Sequence, residues 1–303
     1  MHSTLLGWAA AFTMVFIGSG WQLATRYGAT GGFTPVDLAL LRYCVPALLL
    51  APVWWRLLHN TAYARPPRSQ LRMALVIIGS GLPFGLLVMT GARYAPASHM
   101  AALLPGLIPL MVIAGVSILA RQLPARVQLV AAVVVFGGVG LVSGMWSTAG
   151  SSQYWPGDAL FLFAAVLWSL YSLAFRSLEF TGLESAALVS FWSALAVIPL
   201  WLWQVNTQLW AVGTHALLLQ IAWQGVLAGT LGIAAYGYAM RVLGPARPAM
   251  VGALVPVVSS IGGVWVLGEA MDTAAWCGVA LVTAGIAAIT MTNSTQRADQ
   301  YTK

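Results

Sequence analysis

The sequence has 303 residues, of which 60% are hydrophobic and only 7% are charged. A typical soluble domain carries about 25% charged residues, so this chain could not cover a water-facing exterior. The composition therefore excludes a soluble globular protein, a disordered chain, a collagen-like repeat and a disulfide-rich scaffold. The formal net charge of +7 comes from bases scattered between apolar runs. Such a distribution indicates membrane topology, and we expect no nucleic-acid partner.

Ten apolar runs are long enough for transmembrane helices, which need about 17–25 mostly apolar residues. In chain order the runs cover residues 5–27, 35–55, 71–90, 97–119, 127–144, 157–175, 185–203, 221–241, 246–267 and 274–292. Short connections between them make successive helices antiparallel neighbours. The sequence thus predicts an all-α membrane protein with ten transmembrane helices and a lipid bilayer around it.

The distribution of bases predicts the orientation of these helices. Cytoplasmic loops of membrane proteins carry an excess of Lys and Arg, and the segment 56–72 is the most basic of this chain. Alternation from that segment places eleven bases on its side and only Arg26 and Arg93 on the other. We therefore expect a multi-pass protein of the inner (plasma) membrane with both termini in the cytoplasm.

The chain contains an internal repeat. At offsets of 147 and 150 residues, turn-forming and polar residues coincide in several runs: Pro52 with Pro199, Gly85 with Gly232, Pro109 with Pro256, Ser19 with Ser169 and Arg26 with Arg176. Each half holds five runs, and because five is odd the second half must start on the opposite side of the membrane. The prediction is a first repeat over 1–144, an inverted second repeat over 157–293 and a cytoplasmic tail over 294–303. Inverted repeats are typical of secondary transporters with a substrate site between the halves.

Several of these segments resemble a known family. Leu41-Arg42-Tyr43 in the second run, Leu-x-Pro in the fourth and ninth, and Leu267-Gly268-Glu269 resemble the EamA family of the drug/metabolite transporter superfamily. Leu167-Trp168-x-x-Tyr171 and Gly252-x-x-x-Pro256-Val257-x-Ser259-Ser260 are similar to YddG-type amino-acid exporters. The resemblance implies the drug/metabolite transporter fold of two five-helix repeats, a small-molecule substrate and transport out of the cytoplasm.

The predicted membrane interior is almost free of charge. No Asp or Glu lies near the centre of a run, so a proton-coupled carboxylate relay has no candidate. No central cation is available for a phosphate-bearing substrate. No Cys, His, Asp and Glu cluster has the spacing of a metal site, and we expect neither a metal nor a cofactor. The interior instead suits a neutral or zwitterionic amphiphile with an apolar side chain.

The candidate substrate-binding residues are polar or aromatic side chains on predicted inward helix faces, since polar tips in lipid are costly. They are Ser19, Trp21, Gln22, His99, Trp168, Tyr171, Ser172, Tyr236, Tyr238, Ser259 and Ser260. Trp192 and Trp265 also lie deep within their runs. The candidate hinges are Pro83, Pro105, Pro109 and Pro256, because each proline frees a helical carbonyl. Helix packing for the serines and ordinary kinks for the prolines are the competing interpretations.

Two charges near the start of the second run have alternative roles. Asp37 follows Pro35 at a predicted helix N-terminus, where it complements the helix dipole close to water. Arg42 lies about one further turn along the helix. It is either a functional intramembrane arginine or a structural one that pairs with Asp37 or extends to the interface, and the sequence favours the structural role.

From these observations we expect an exporter of small amphiphilic metabolites that works by alternating access. Amino acids with aromatic or apolar side chains are the leading substrates, and other drugs or metabolites are the alternative. A channel-like pore and an intramembrane serine hydrolase that pairs Ser19 with His99 are alternatives of a different class. The favoured expectation is that the protein is not an enzyme and forms a monomer or a weak dimer.

Overall fold

The computed structural model describes residues 2–59, 67–145, 153–178, 180–204, 206–244 and 246–301. Within these ranges the chain forms helices and no strand, as the sequence predicted. The helices are α1 His2–Thr30, α2 Pro35–Leu49, α3 Ala51–His59, α4 Pro67–Ser80, α5 Leu82–Tyr94, α6 Ala97–Ala120, α7 Arg126–Val142, α8 Trp155–Phe175, α9 Gly182–Trp203, α10 Thr214–Gln220, a π-helix Ile221–Leu231, α11 Gly232–Leu243, α12 Ala246–Gly252, α13 Val255–Leu267 and α14 Thr273–Tyr301.

The described residues contain eight helical segments long and apolar enough to cross a membrane. They are Thr4–Thr30, Gln70–Tyr94, Ala97–Ala120, Trp155–Phe175, Gly182–Trp203, Thr214–Leu243, Arg247–Leu267 and Thr273–Met291. The pair α2 and α3 forms a ninth if it is one span, although its two parts meet at 71°. The predicted fifth run corresponds to α7, an apolar helix of 17 residues. The expected ten spans are therefore observed as eight, or nine with the bent pair, together with one shorter helix.

Prolines and glycines explain where the spans are interrupted. Pro52 lies in the first turn of α3, where it cannot donate a backbone hydrogen bond to the end of α2. Gly81 separates α4 from α5, and Pro83 lies in the first turn of α5. Pro256 has the same position in α13. In contrast, Pro105 and Pro109 lie inside the continuous helix α6.

The contacts between helices pair the two halves of the chain. Helix α7 packs against α14, and α2 packs against α9. The contact of α6 with α8 has its counterpart in α13 with α1, and the contact of α5 with α8 has its counterpart in α11 with α1. In each counterpart, every helix of one half is replaced by the helix of the same rank in the other half, so that the first predicted run corresponds to the sixth, the third to the eighth and the fourth to the ninth. Gly138 and Gly278 allow the closest approach of α7 and α14, since a Cβ on either would lie 2.6–2.7 Å from the other's carbonyl oxygen.

Ion pairs among the described residues agree with the predicted alternation of the loops. Arg26 pairs with Glu269 and His99 with Asp158, and alternation places all four at one end of the bundle. We call this the outer end and the opposite one the inner end. At the inner end, Arg56 Nη2 lies 3.5 Å from Glu184 Oε1. The predicted loop base Arg65 and the tail residues 302–303 lie outside the described residues.

Candidate substrate site

Four aromatic side chains form a cluster in the interior. Trp168 and Tyr171 of α8 have ring centroids 5.1 Å apart, and Trp168 lies 4.8 Å from Phe84 of α5. The ring of Trp21 in α1 stacks on Phe84 at 6.5 Å. Phe84 is buried, whereas Trp21, Trp168 and Tyr171 keep partial exposure inside the bundle. These four residues, which we call the aromatic cluster, come from both halves of the chain.

Glycine allows the helices that carry the cluster to approach closely. A Cβ at Gly79 of α4 would lie 2.6 Å from the carbonyl oxygen of Leu167 and 2.8 Å from the Cβ of Tyr171. Real Cβ atoms do not tolerate such distances, so any larger residue would separate α4 from α8. The lack of a side chain at this position therefore sets the location of Trp168 and Tyr171 relative to Phe84.

Side chains satisfy the backbone where the third span is interrupted. The hydroxyl of Tyr43 donates to the carbonyl of Gly81 at 2.6 Å, and the amide of Leu82 donates to Ser193 Oγ at 3.1 Å. Both partners are buried. Pro83 was expected to leave a polar backbone group free for a substrate. The neighbouring carbonyl of Gly81 and amide of Leu82 are not free, because both already have hydrogen-bond partners within the protein.

Arg42 points to the aromatic cluster. Its guanidinium carbon lies 4.5 Å above the ring of Trp21, a cation–π distance. The Nη1 atom is sealed from solvent and has no hydrogen-bond partner. The Arg42–Asp37 pair, one of the two structural roles expected for Arg42, is wrong: five residues along a helix correspond to about 500°, so the two side chains point about 140° apart.

Asp37 is the buried centre of a separate network whose other members are partly exposed. Its carboxylate accepts hydrogen bonds from Trp201 Nε1 at 2.8 Å, Gln204 Nε2 at 3.0 Å and Thr207 Oγ1 at 2.9 Å. It also accepts the backbone N–H of Thr34, which completes a capping box. The predicted capping role is confirmed. The predicted proximity to water is wrong, since Asp37 is 0% exposed. The network fixes α2 to the end of α9, across the two halves.

Two glutamines that sequence reasoning missed connect α1 to the eighth predicted span. Trp21 Nε1 donates to Gln224 Oε1 at 2.8 Å, and Gln224 Nε2 donates to Thr25 Oγ1 at 3.0 Å. Gln220 Nε2 donates to the carbonyl of Ala24 at 2.6 Å. Both glutamines are fully buried. Their signal in the sequence was an amide pair one turn apart inside an apolar run, where an unpaired amide would be costly.

The predicted polar residues of α1 and α13 face each other. Ser259 Oγ donates to Gln22 Oε1 at 2.6 Å, and Ser19 Oγ lies 3.4 Å from the carbonyl oxygen of Val255. Ser260 is fully buried, and its hydroxyl has no partner. Pro256 is buried beside them at the start of α13. This contact lies next to the aromatic cluster because α1 contributes to both. Most of its polar groups already form hydrogen bonds within the protein.

The other predicted site residues lie elsewhere. His99 Nδ1 lies 2.8 Å from Asp158 Oδ1 at the outer end. The Ser172 hydroxyl donates back to the carbonyl of its own helix at Trp168. Tyr236 is 38% exposed, but it lies close enough to Tyr171 of the aromatic cluster for the two side chains to interact electrostatically. Tyr238 lines a lateral apolar groove between α1 and α11, where Arg241 stacks on its ring.

The remaining deep tryptophans face outward. Trp192 is 42% exposed and Trp265 is 85% exposed on the outside of the bundle. The position of a tryptophan along its span therefore predicts whether it lies near the membrane interface or near the centre. It does not predict whether a central tryptophan faces the interior of the bundle or the outside.

Comparisons with known proteins agree with the helical membrane fold. Residues 155–291 match the EamA-like transporter family. A protein of Streptantibioticus cattleyicolor, named "Probable terminal-alkyne amino-acid exporter", is 25% identical over 286 residues, which are 93% of this chain and 89% of that protein. A solved crystal structure covers 96% of this chain and 96% of its own at a TM-score of 0.60 and 22% identity, which relates the folds alone.

The described helices give the chain several membrane spans, and its second half matches a transporter family. A membrane transporter implies a small-molecule substrate and a lipid bilayer as its surroundings. Residues 155–291, slightly less than half of the chain, match the model of the EamA-like transporter family, so the second half of the chain is similar to that family.

Proposed function

We propose that this transporter exports small amphiphilic metabolites across the inner membrane by alternating access, and that amino acids with aromatic or apolar side chains are its main substrates. The observation that carries the proposal is the aromatic cluster of Trp21, Phe84, Trp168 and Tyr171, built by both halves around partly accessible rings. Aromatic faces hold an apolar side chain and tolerate a nearby charge.

The exporter of Streptantibioticus cattleyicolor supports this substrate class. Its name specifies amino acids that end in an alkyne, which are zwitterions with an apolar side chain. An aromatic cluster next to a cation suits that combination of groups. Other drugs or metabolites of the same amphiphilic character remain the second class of substrate to be compared in transport assays.

The proposed architecture is ten spans in two inverted repeats, 1–144 and 157–293, with both termini and the tail 294–303 in the cytoplasm. Paired helix contacts across the halves support it. Polar contacts between the halves concentrate toward the outer end, where Arg26 meets Glu269, His99 meets Asp158 and Asp37 meets Thr207. Such a distribution fits a state closed to the outside. Rocking about the interruptions at Pro83 and Pro256 would then expose the cluster to the other side.

The hydrolase alternative lacks the geometry that it needs. A serine nucleophile must be within hydrogen-bond reach of its base. Ser19 lies against the carbonyl of Val255, and His99 binds Asp158. Neither residue thus serves the other, and transport is the better supported activity.

Liposomes that contain the purified protein test the proposal. We expect saturable uptake of phenylalanine or tryptophan and stimulation by the same amino acid on the opposite side. A panel with nucleosides and drug-like cations, with and without a pH gradient, compares the substrate classes and the coupling. Flux that rises linearly with the gradient and shows no counterflow would instead identify a channel.

A further inference from the structure

Arg42 is a cation inside the bundle without an anionic partner among the described residues. No Asp or Glu oxygen of the described side chains lies within 4.0 Å of it, and its Nη1 donates no hydrogen bond. A buried guanidinium is costly unless it is paired and hydrogen-bonded. The face of Trp21 compensates for part of this cost, but a ring accepts no planar pair of hydrogen bonds.

Arg26 is an arginine with a structural role in the same bundle, and its contacts can be compared with those of Arg42. The side chain of Arg26 is 17% exposed, its Nε donates to Glu269 at 2.9 Å and its Nη1 donates to the carbonyl of Ala92 at 2.6 Å. Arg42 lies among buried neighbours in the same bundle, where the neutral hydroxyl of Tyr43 is a polar neighbour of its guanidinium, but its Nη1 has no hydrogen-bond partner and no described carboxylate pairs with it. The difference indicates that the partner of Arg42 is supplied from outside the protein.

The described carboxylates are engaged at the ends of helices. Asp37 and Glu184 accept the backbone N–H groups of the N-cap residues of their own helices, and Asp272 accepts a backbone N–H of the first turn of α14. Asp158 contacts His99, and Glu269 contacts Arg26. None of them faces the aromatic cluster. The described part of the interior thus offers a cation for a substrate and no carboxylate for a substrate's ammonium group.

We propose that Arg42 binds the carboxylate of the transported molecule while the aromatic cluster holds its side chain, so that the site selects for the carboxylate and not for the ammonium group. The inference rests on the proposed function and specifies its substrate class. Guanidinium and carboxylate form two parallel charge-assisted hydrogen bonds, the strongest pairing open to Arg42.

The surroundings of Arg42 hold it ready for this role. The indole N–H of Trp21 is fixed by Gln224 at 2.8 Å, so the ring beneath the guanidinium has one orientation. Phe84 stacks with the same ring at a centroid distance of 6.5 Å. In this arrangement the carboxylate of a ligand would lie at Arg42 and its apolar side chain against the aromatic cluster.

Binding to the full-length protein in nanodiscs tests the inference independently of transport. Three probes share one ring and differ in one group: 3-phenylpropionate, 3-phenylpropionamide and phenethylamine. By titration calorimetry we expect the acid to bind at least tenfold more tightly than the amide, and the amine to bind no better than the amide. In Arg42→Gln the ratio of acid to amide affinity should fall to about one, and in Arg42→Lys part of it should remain. Arg93→Gln, which removes an exposed arginine at the outer end, should keep the full ratio.

The outcomes separate the inference from the proposed function. Equal affinities of acid and amide in the unchanged protein, or binding of neither, would overturn the carboxylate site whether or not any variant folds. A preference for the acid that persists in Arg42→Gln would also overturn it. Acid-selective binding without transport of any amino acid in liposomes would leave the site standing and refute the proposed function. Amino-acid transport without acid-selective binding would support the proposed function and refute the carboxylate site at Arg42.

Discussion

Replacement of Glu269 by glutamine should open the outer end of the transporter. Glu269 follows α13 in the second half, and its carboxylate receives Arg26 Nε at 2.9 Å and the backbone N–H of Ala97 at 2.9 and 3.1 Å. Both of these partners belong to the first half. If the halves rock apart at this end, all of these bonds must break, whereas glutamine keeps the shape of the side chain and removes its charge.

The expected size of the effect follows from the burial of the pair. The side chains of Arg26 and Glu269 are 17% and 11% exposed, so solvent screens them little. Hydrogen bonds to charged groups contribute about 1.5–3 kcal/mol, which is roughly a 10–150-fold change in an equilibrium. An open state populated at about 1% would therefore rise to between about 10% and 60% in Glu269→Gln.

Spin-label distances across the outer end measure this population. Labels at the exposed positions Tyr94 and Ala274, in a background with Cys44 and Cys277 replaced by alanine, span the two halves. In Glu269→Gln we expect a second, longer distance to appear with the population given above.

Asp272→Asn provides the matched control, since Asp272 is exposed and binds only the first turn of its own helix among the described residues. It should leave the distance distribution unchanged. An unchanged distribution in Glu269→Gln, or an equal change in both variants, would refute the assignment of Glu269 to an outer closure.

Two further substitutions test the packing around the site. Asp37→Asn should lower the stability by at least about 2 kcal/mol, because a neutral amide replaces a charged acceptor for Trp201 and its neighbours; a lower midpoint of thermal unfolding in detergent would show this, and a midpoint equal to that of the unchanged protein would contradict it. Gly79→Ala should cost about 1–3 kcal/mol and reduce transport by forcing α4 from α8. Gly137→Ala, with nothing within 4 Å of the added Cβ, should be neutral or slightly stabilising, and equal effects at both glycines would count against close packing at Gly79.

The sequence was sufficient for the helical fold and for which residues share an end of the bundle. Apolar length determines which segments can span a bilayer, and the ion pair of Arg26 with Glu269 joins residues that loop alternation had placed together. The number of full spans was harder to predict. A 71° bend after Leu49 and a 17-residue α7 are consequences of local backbone geometry that hydropathy does not record.

The sequence predicted only some of the residues of the candidate site. Lipid and the protein interior are both apolar, so hydropathy does not distinguish a side chain that faces one from a side chain that faces the other. Trp21 and Trp168 were identified, but Trp265 has the same depth and faces outward. Gln224 was missed because its partner is 203 residues away in the chain. The pair of Arg42 with Asp37, one of the two structural roles expected, does not form because the two side chains differ in helical phase although they are close in sequence.

The central claim is that the aromatic cluster carries the substrate, and counterflow of phenylalanine in liposomes tests it most directly when Trp168→Ala is compared with Trp265→Ala. Trp168 contacts Phe84 and Tyr171 in the cluster, whereas Trp265 is 85% exposed on the outside. Loss of a central aromatic contact costs about 2 kcal/mol or more, so Trp168→Ala should lower the affinity for phenylalanine at least tenfold at equal protein content. Trp265→Ala should remain within about twofold of the unchanged protein, as expected for a surface substitution. Equal counterflow in the two variants would contradict the account.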